Sequence, residues 1–437
     1  MLPTNRRTLF IFGYLLLALL TTQCGPEQEP AKPVVVQAAT VRWITWDPNS
    51  QVEQVLIKQF RETNPQVEFK REQANAAPNF YLSKPPKPDM VNMDTGYDLE
   101  NAIRQNQVAD LTEIWTQAGL LTAVPASLQK LSVHDGKQYY IPIGFGWGAV
   151  YYNKQIFAQY NLQPPQNWQE FLTICDTLLS HGEVPLAISG SEYTGQYWFE
   201  YLDLRLNGPE FHRNLMAGKE HYTDVKVRRV VETWQGLFDH GYFVEGRLAL
   251  GDLSTLTALV RGDNGVLHQA KAVMALTDTY SAGQLPAKFQ AELGFFRFPV
   301  MDPALPVAES INPFGYVVPI GAEHTPATLA FLTHISSVAA QGLMAQNEMF
   351  QSVKYAPARA DIAADHLTAD QRQAVEMIKN TNDTVLSFFS AVPREMSGMV
   401  EYEFRHFINE PKDIDSFLNK FEAARQKMVE KGVIGQE

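Results

Sequence analysis

Tyr139-Tyr-Ile-Pro-Ile-Gly-Phe-Gly-Trp-Gly-Ala-Val-Tyr-Tyr-Asn153 is the stretch that decides the fold. Both flanks are rich in Tyr, Ile and Val, residues that suit a pleated, half-buried surface. Between them Gly144, Gly146 and Gly148 alternate with Phe145, Trp147 and Ala149. Glycine weakens a strand and marks a bend, a bulge or a close backbone approach. A strand crossing between two lobes, with an aromatic ring turned into the cleft, needs this combination. A Gly-rich internal strand with Trp147 in the core needs it equally, and the stretch by itself leaves both open. The dinucleotide fingerprint is excluded. Gly144-x-Gly146-x-x-Ala149 fits it formally, but Val150-Tyr-Tyr-Asn153 is strand-like where a pyrophosphate-binding helix should start.

Working outward, 437 residues of ordinary globular composition suggest two or three domain-sized units or one large two-lobed body. A net charge of −12, with no Lys/Arg cluster, argues against a nucleic-acid partner. At the N-terminus Arg6-Arg7 precedes an apolar run, Leu9 to Leu20, too short to span a bilayer comfortably and suited to a secretory h-region. Cys24 follows, then a Pro-rich polar segment. This arrangement resembles a bacterial lipoprotein signal, in which the cysteine becomes the first mature residue and carries lipid; Gln23 stands where a small residue is usual. The expected order is therefore a signal peptide over 1–23 and a tether over 24–40. Cys175 lies among apolar residues at helical spacing and reads as a buried small hydrophobe, so no disulfide is expected.

Val41-Arg-Trp-Ile-Thr-Trp46 alternates as a strand, and Asp47-Pro-Asn-Ser50 is turn chemistry with a helix cap. Gln51 to Glu62 places Val52, Val55, Leu56 and Phe60 on one face, and Gln66 to Arg71 is a second alternating strand. This is a β-α-β unit, which builds a parallel sheet. Pro88 to Met93 repeats the strand, with Asp94-Thr-Gly-Tyr-Asp98 as a polar loop at its carboxyl end. Ligands in open α/β sheets bind at the carboxyl ends of strands, which draws attention to Trp46-Asp47 and Asp94-Thr95. Further strands are expected at Pro185–Ser189, Lys271–Leu276, Leu293–Val300 and Gly315–Pro319, with a helical C-terminal region.

The ordered set of these features resembles the extracellular solute-binding proteins, family 1, of bacterial ABC importers, the group that includes maltodextrin-binding proteins. The resembling pieces include Phe60-Arg-Glu-Thr-Asn-Pro65, Pro88-Asp89, Tyr140-Ile-Pro142 through Lys154, and Pro164-Pro-Gln-Asn-Trp168-Gln-Glu-Phe171. Lys271-Ala-Val-Met274 with Tyr280, Asn312-Pro-Phe-Gly315 and Ala356-Pro-Ala-Arg359 complete the set, which spans about residues 41–360. The resemblance implies an α/β protein of the two-lobed periplasmic binding protein type II fold, each lobe a mixed sheet flanked by helices. Lobe 1 is expected over 41–145 plus 305–345 and lobe 2 over 150–298 plus 350–437, with hinges near 144–149, 298–306 and 346–355. It further implies a lipid-anchored protein of the cell envelope, periplasmic or extracytoplasmic, that traps a sugar or related polyol by lobe closure. Its partners are then that ligand, the membrane subunits of an ABC permease and, through the N-terminal lipid, the membrane; a monomer is expected, with no cofactor.

Sugar recognition needs flat aromatic faces for the C–H side of the ring and carboxylates or amides for the hydroxyls. The first lobe offers Trp46, Asp47, Asp94, Thr95 and Tyr97, and the crossing strand offers Phe145 and Trp147. From the second come Tyr193, Gln196, Tyr197, Asp278 and Tyr280, with Phe314 returning from the first. For each acid a turn or helix cap is the competing role, strongest for Asp47 before Pro48. Trp198, Tyr201 and Leu202 share a helix face and read as core, and Arg359 as a loop-fixing residue. No His pair has metal-ligand spacing, and there is no Gly-x-Ser-x-Gly elbow and no phosphate loop. Binding without catalysis is the expectation. The alternatives are a secreted glycan-processing hydrolase using two cleft acids, and a ligand-sensing protein that signals without transport.

Overall fold

A computed structural model of the chain describes residues 36–189, 192–244, 256, 259, 272–347, 350 and 355–435. The chain divides into Met1–Val35 and one compact unit, Val36–Glu437. The signal-peptide and Cys24 readings lie outside the described residues, as does the side chain of Tyr193.

Strand β1 (Ala39–Thr45) pairs in parallel with β2 (Val67–Gln73), and the helix Gln51–Thr63 connects them. The strand starts two residues inside the segment read as tether. Ser50 caps the helix, its hydroxyl accepting the Glu53 N–H. Asp47 shapes the turn before it, Oδ1 accepting the Asn49 N–H at 2.9 Å. Val52, Leu56 and Phe60 are buried, four residues apart, while Val55 faces solvent and leaves the apolar stripe narrower than its sequence suggests. β3 (Met90–Asp94) joins the other edge of β1 in parallel, and a short hairpin of β4 (Val133–His134) and β5 (Lys137–Gln138) follows.

The quoted stretch forms β6 (Ile141–Asn153), one continuous strand of 13 residues. After it come β7 (Leu186–Ala187), β8 (Met274–Asp278), β9 (Leu293–Phe296), β10 (Ala308–Val317), β11 (Ala356–Pro357) and β12 (Asp383–Leu386). Among the described residues ten strands share one mixed sheet whose path runs β2-β1-β3-β10-β6-β8-β7. β6 belongs to both halves of it. Its first part pairs antiparallel with β10, from Phe314 opposite Gly144 to Ile311 opposite Trp147. Its second part pairs with β8, from Gly148 opposite Asp278 onward, and with β9. β10 runs further back than Gly315–Pro319 suggested, because Pro313 sits in the ladder opposite Phe145, next to a register shift at Phe314/Gly315. A proline tolerated beside such an irregularity hides a strand from a sequence reading.

Successive residues of a strand face opposite ways, and on β6 both faces are covered. Phe145, Trp147 and Ala149 are buried in one apolar cluster with Ile311 and Phe295. The Trp147 ring is fully buried, its centroid 5.4 Å from that of Phe295 and 6.2 Å from that of Phe145. The glycines occupy the other face. A Cβ on Gly144 would stand 2.7 Å from the Ala356 carbonyl oxygen, on Gly146 2.7 Å from Thr279 Oγ1, and on Gly148 2.8 Å from the Tyr201 ring. Close approach explains them.

The helix Glu192–Met216 carries the second half's core. Trp198, Tyr201 and Leu202 are fully buried in it, and the helix is interrupted at Gly208 (φ 82°) before Pro209. A buried guanidinium fastens it to β10 and the segment before it. Arg205 donates to the carbonyls of Phe298 (3.1 Å from Nη2) and Ala308 and pairs with Glu309 at 3.0 Å. The Tyr201 hydroxyl donates to the Gly148 carbonyl at 2.7 Å. Arg359 likewise fixes a loop, pairing with Asp361 and donating to the carbonyls of Ala118 and Ser336. Cys175 is buried and free, and its burial pushes the thiol pKa up.

Candidate functional site

The carboxyl ends of β1, β3 and β8 open onto one pocket of about 250 Å³. Trp46 follows β1, Asp94 ends β3, and Asp278 ends β8 with Thr279 and Tyr280 directly after it. β6 supplies Gly146, β10 supplies Asn312 and Phe314, and Tyr355 lies across from them. The position is the one that parallel strands create, since the chain must turn there and leaves side chains and backbone groups unpaired toward solvent. A second groove, of about 760 Å³, shares Trp46 and Asp94 with the pocket and continues past Thr95 and Tyr97 to Arg394 and Glu401.

Two of the aromatic rings are open to a ligand. Trp46 is 42% exposed and Tyr280 55%. Phe314 and Tyr355 are partly buried and pack on each other with centroids 4.6 Å apart, held from behind by Phe350.

The two carboxylates differ in how they are held. Asp278 caps the short helix Thr279–Gly283, Oδ1 accepting the Ser281 N–H at 2.8 Å. Its Oδ2 is the end of a directional relay. Ser387 Oγ donates to Asn312 Oδ1 (2.6 Å), Asn312 Nδ2 donates to the Tyr197 oxygen (3.1 Å), and the Tyr197 hydroxyl donates to Asp278 Oδ2 (3.2 Å). Every donor in the chain points toward Asp278 and fixes it as an acceptor. Burial still raises its pKa, partly offset by these bonds. Asp94 accepts no hydrogen bond from the described residues. Its side chain is exposed to the cleft, and the protein atoms crowded around it push its pKa up to about 7, with Arg394 opposing and Asp98 adding to the shift.

The pocket and groove thus bring together Trp46, Asp94, Thr95, Tyr97, Asp278, Tyr280 and Phe314 of the residues expected from sequence. Thr95 is 3% exposed, and its hydroxyl has no hydrogen-bond partner among the described residues. Tyr197 stands one layer back and acts through Asp278. Gln196 is buried with its Oε1 unpartnered and lines neither cavity. Asp47 is exposed and committed to its turn. Phe145 and Trp147 face the core and not the cleft, because the glycines take the cleft side of β6. Sequence reasoning missed Gly146, Thr279, Asn312 and Tyr355. Asn312 was within reach, since it lies two residues before Phe314 on one strand and shares its face. Nothing local marks Tyr355.

A two-lobed α/β body with a polar–aromatic cleft at its strand ends is the architecture of a solute-binding protein. The chain belongs to the bacterial extracellular solute-binding proteins, whose sequence model matches residues 45–342. It is 21% identical over 410 residues, 88% of each chain, to an uncharacterized ABC transporter extracellular-binding protein of Pyrococcus horikoshii. It is 25% identical over 294 residues, 66% of each chain, to a probable sugar-binding periplasmic protein of Mesorhizobium japonicum. Among solved structures, the bacterial solute receptor AcbH, described as exclusive for β-D-galactopyranose, superposes with a TM-score of 0.79 at 20% identity, covering 90% of this chain and 99% of that one. Maltose-bound MalE3 of T. maritima gives 0.64 at 14% identity, covering 90% and 100%. These likenesses show the same fold, and the family is one of solute-binding proteins.

Proposed function

We propose that this protein captures a sugar or related polyol in the pocket between β3 and β8, without altering it, and hands it to the membrane subunits of an ABC importer. The observation that carries the reading is the pairing of exposed Trp46 and Tyr280 with the carboxylates of Asp94 and Asp278 around one cavity. Exposed rings cover the apolar face of a pyranose and carboxylates accept hydrogen bonds from its hydroxyls. The relatives named as sugar-binding periplasmic proteins support it. In this reading one lobe spans 41–145 plus 305–345 and the other 150–298 plus 350–437, and the crossing strands β6 and β10 form the axis of closure. Cys24 carries the lipid that tethers a monomer to the envelope. Mass spectrometry of membrane-extracted protein should then give a mature chain beginning at a lipid-modified Cys24; an uncleaved terminus with a free thiol overturns that part.

Two carboxylates on one pocket, one with its pKa near 7, also suit a hydrolase. Against this, both oxygens of Asp278 are already hydrogen-bonded. One experiment separates the two. Purified protein is screened against mono-, di- and oligosaccharides by thermal shift, and the binders are incubated and analysed for products. Stabilisation with intact ligand is expected. Steady product release, lost in Asp94→Asn, would establish the hydrolase.

A further inference from the structure

The charge of the pocket narrows the ligand class. Asp94 and Asp278 both line it, and among the described residues no Lys, Arg or His does. The guanidinium of Arg394 sits in the adjoining groove with its Nε donating to Asp98 at 2.9 Å. Asp278 is partly satisfied by Ser281 and Tyr197, but Asp94 accepts nothing from the described residues. Beyond it Thr95 keeps a buried, unpartnered hydroxyl where the groove continues, a second polar group that a bound molecule would complete. Rings surround this negative site: Trp46, Tyr280, Phe314 and Tyr355. An aromatic face attracts a cation through its quadrupole, most strongly where water is excluded. A neutral ring closing over the pocket would leave Asp94 with Arg394, already paired with Asp98, as its counter-charge, so the two carboxylates would either lose solvent at a cost or take up a proton. A positive group on the ligand removes that cost and uses the rings twice, for stacking and for cation–π attraction.

We propose that the ligand is a cationic sugar, a polyhydroxylated ring bearing an ammonium group, with the ammonium on Asp94 and the ring between Trp46 and Tyr280. The inference rests on the sugar-binding reading and specifies its substrate class. The test uses the mature chain and matched sets of probes: glucose, glucosamine and N-acetylglucosamine, the three galactose counterparts, and β-1,4-linked glucosamine and N-acetylglucosamine disaccharides. Each is titrated calorimetrically at pH 7 into the wild type and Asp94→Asn, with melting curves confirming that the variant is folded. Within a set, the amino member is expected to bind at least tenfold tighter than its hydroxyl and acetamido partners. That advantage should shrink as salt is raised and disappear in Asp94→Asn. Neutral members binding as tightly as amino ones, or an amine preference unchanged by Asp94→Asn, overturns the inference and leaves the sugar reading standing. Absence of heat and of thermal shift with every sugar, charged or neutral, overturns both.

Discussion

Three tryptophan and tyrosine side chains show how burial separates similar residues into different roles. Trp46 and Tyr280 are about half exposed on the cavity, whereas Trp147 is fully buried between Phe145 and Phe295. Trp46→Ala or Tyr280→Ala should therefore weaken ligand binding by about 1–3 kcal/mol and leave the unfolding midpoint nearly unchanged. Trp147→Ala should do the reverse, costing about 3–5 kcal/mol of stability through the cavity it leaves. Ligand titration and denaturant unfolding on the same three variants check both halves of the statement. Asp94 adds a pH dependence. Its pKa of about 7 lies above the unfolded value near 4, so between those values the folded chain holds a proton that the unfolded chain has lost. Stability of the ligand-free protein should accordingly fall as pH rises from about 4 to 7, and Glu53 and Glu200, also raised to about 7 by burial, act in the same direction. Ligand affinity should run the opposite way if an ionised Asp94 is the acceptor, weakening as pH drops through about 7. Calorimetry from pH 5.5 to 8.5 on the wild type and Asp94→Asn measures this; an unchanged pH profile in the variant would remove Asp94 from the site.

At the scale of elements, the central strand explains what was legible and what was not. The alternation of Val41–Trp46, the face of Val52, Val55, Leu56 and Phe60 and the second strand spelled out a β-α-β unit, and the structure has it with Val55 outside the buried stripe. That Ile141–Asn153 is a strand was also readable from glycines framed by Tyr, Ile and Val, although the stretch leaves open whether it crosses between lobes. Its facing was not. A period of two says that Phe145 and Trp147 oppose Gly144, Gly146 and Gly148, but both faces of β6 are covered, so polarity gives no clue to which side is the cleft. Tyr355 and Thr279 were hidden for a related reason: their place in the pocket depends on tertiary contacts with β6 that no local pattern encodes. The glycine face makes a sharp contrast testable. A methyl at Gly144 meets the Ala356 carbonyl oxygen and the Phe314 and Phe350 rings, backbone and packed groups with nowhere to move, so Gly144→Ala should cost about 1–3 kcal/mol of stability. At Gly146 the methyl meets the Thr279 hydroxyl at the pocket floor. Gly146→Ala should mainly raise the ligand Kd. Equal stability losses for the two variants would show that Gly146 does not floor the pocket.

For the molecule as a whole, the candidate site is divided between the two halves of the sheet, and in the proposed function that division couples binding to compaction. Trp46 and Asp94 come from the β1–β3 half, Asp278 and Tyr280 from the β8 half, and Gly146, Asn312 and Phe314 from the crossing strands between them. A ligand that touches both carboxylates bridges the halves, and it gains its full contacts only when they stand close together. A state with both halves engaged is then favoured by the ligand's differential affinity for it and by nothing else. Arg205, Glu309 and Tyr201 tie the helix Glu192–Met216 to the crossing strands, so a movement of the second half should carry that helix with it as a rigid part. The expected outcome is a smaller radius of gyration by small-angle scattering at saturating ligand. A single unfolding transition, raised by about 2.7 kcal/mol at a hundredfold excess over Kd, should accompany it. Removing one side's contact should uncouple the two readouts. In Tyr280→Ala the ligand keeps Asp94 and Trp46 but loses a ring on the β8 half, so residual binding should produce less compaction per mole bound than in the wild type. Full compaction in that variant at equal occupancy would show that Tyr280 does not pull the halves together and that Asp278 and the central strands suffice for closure.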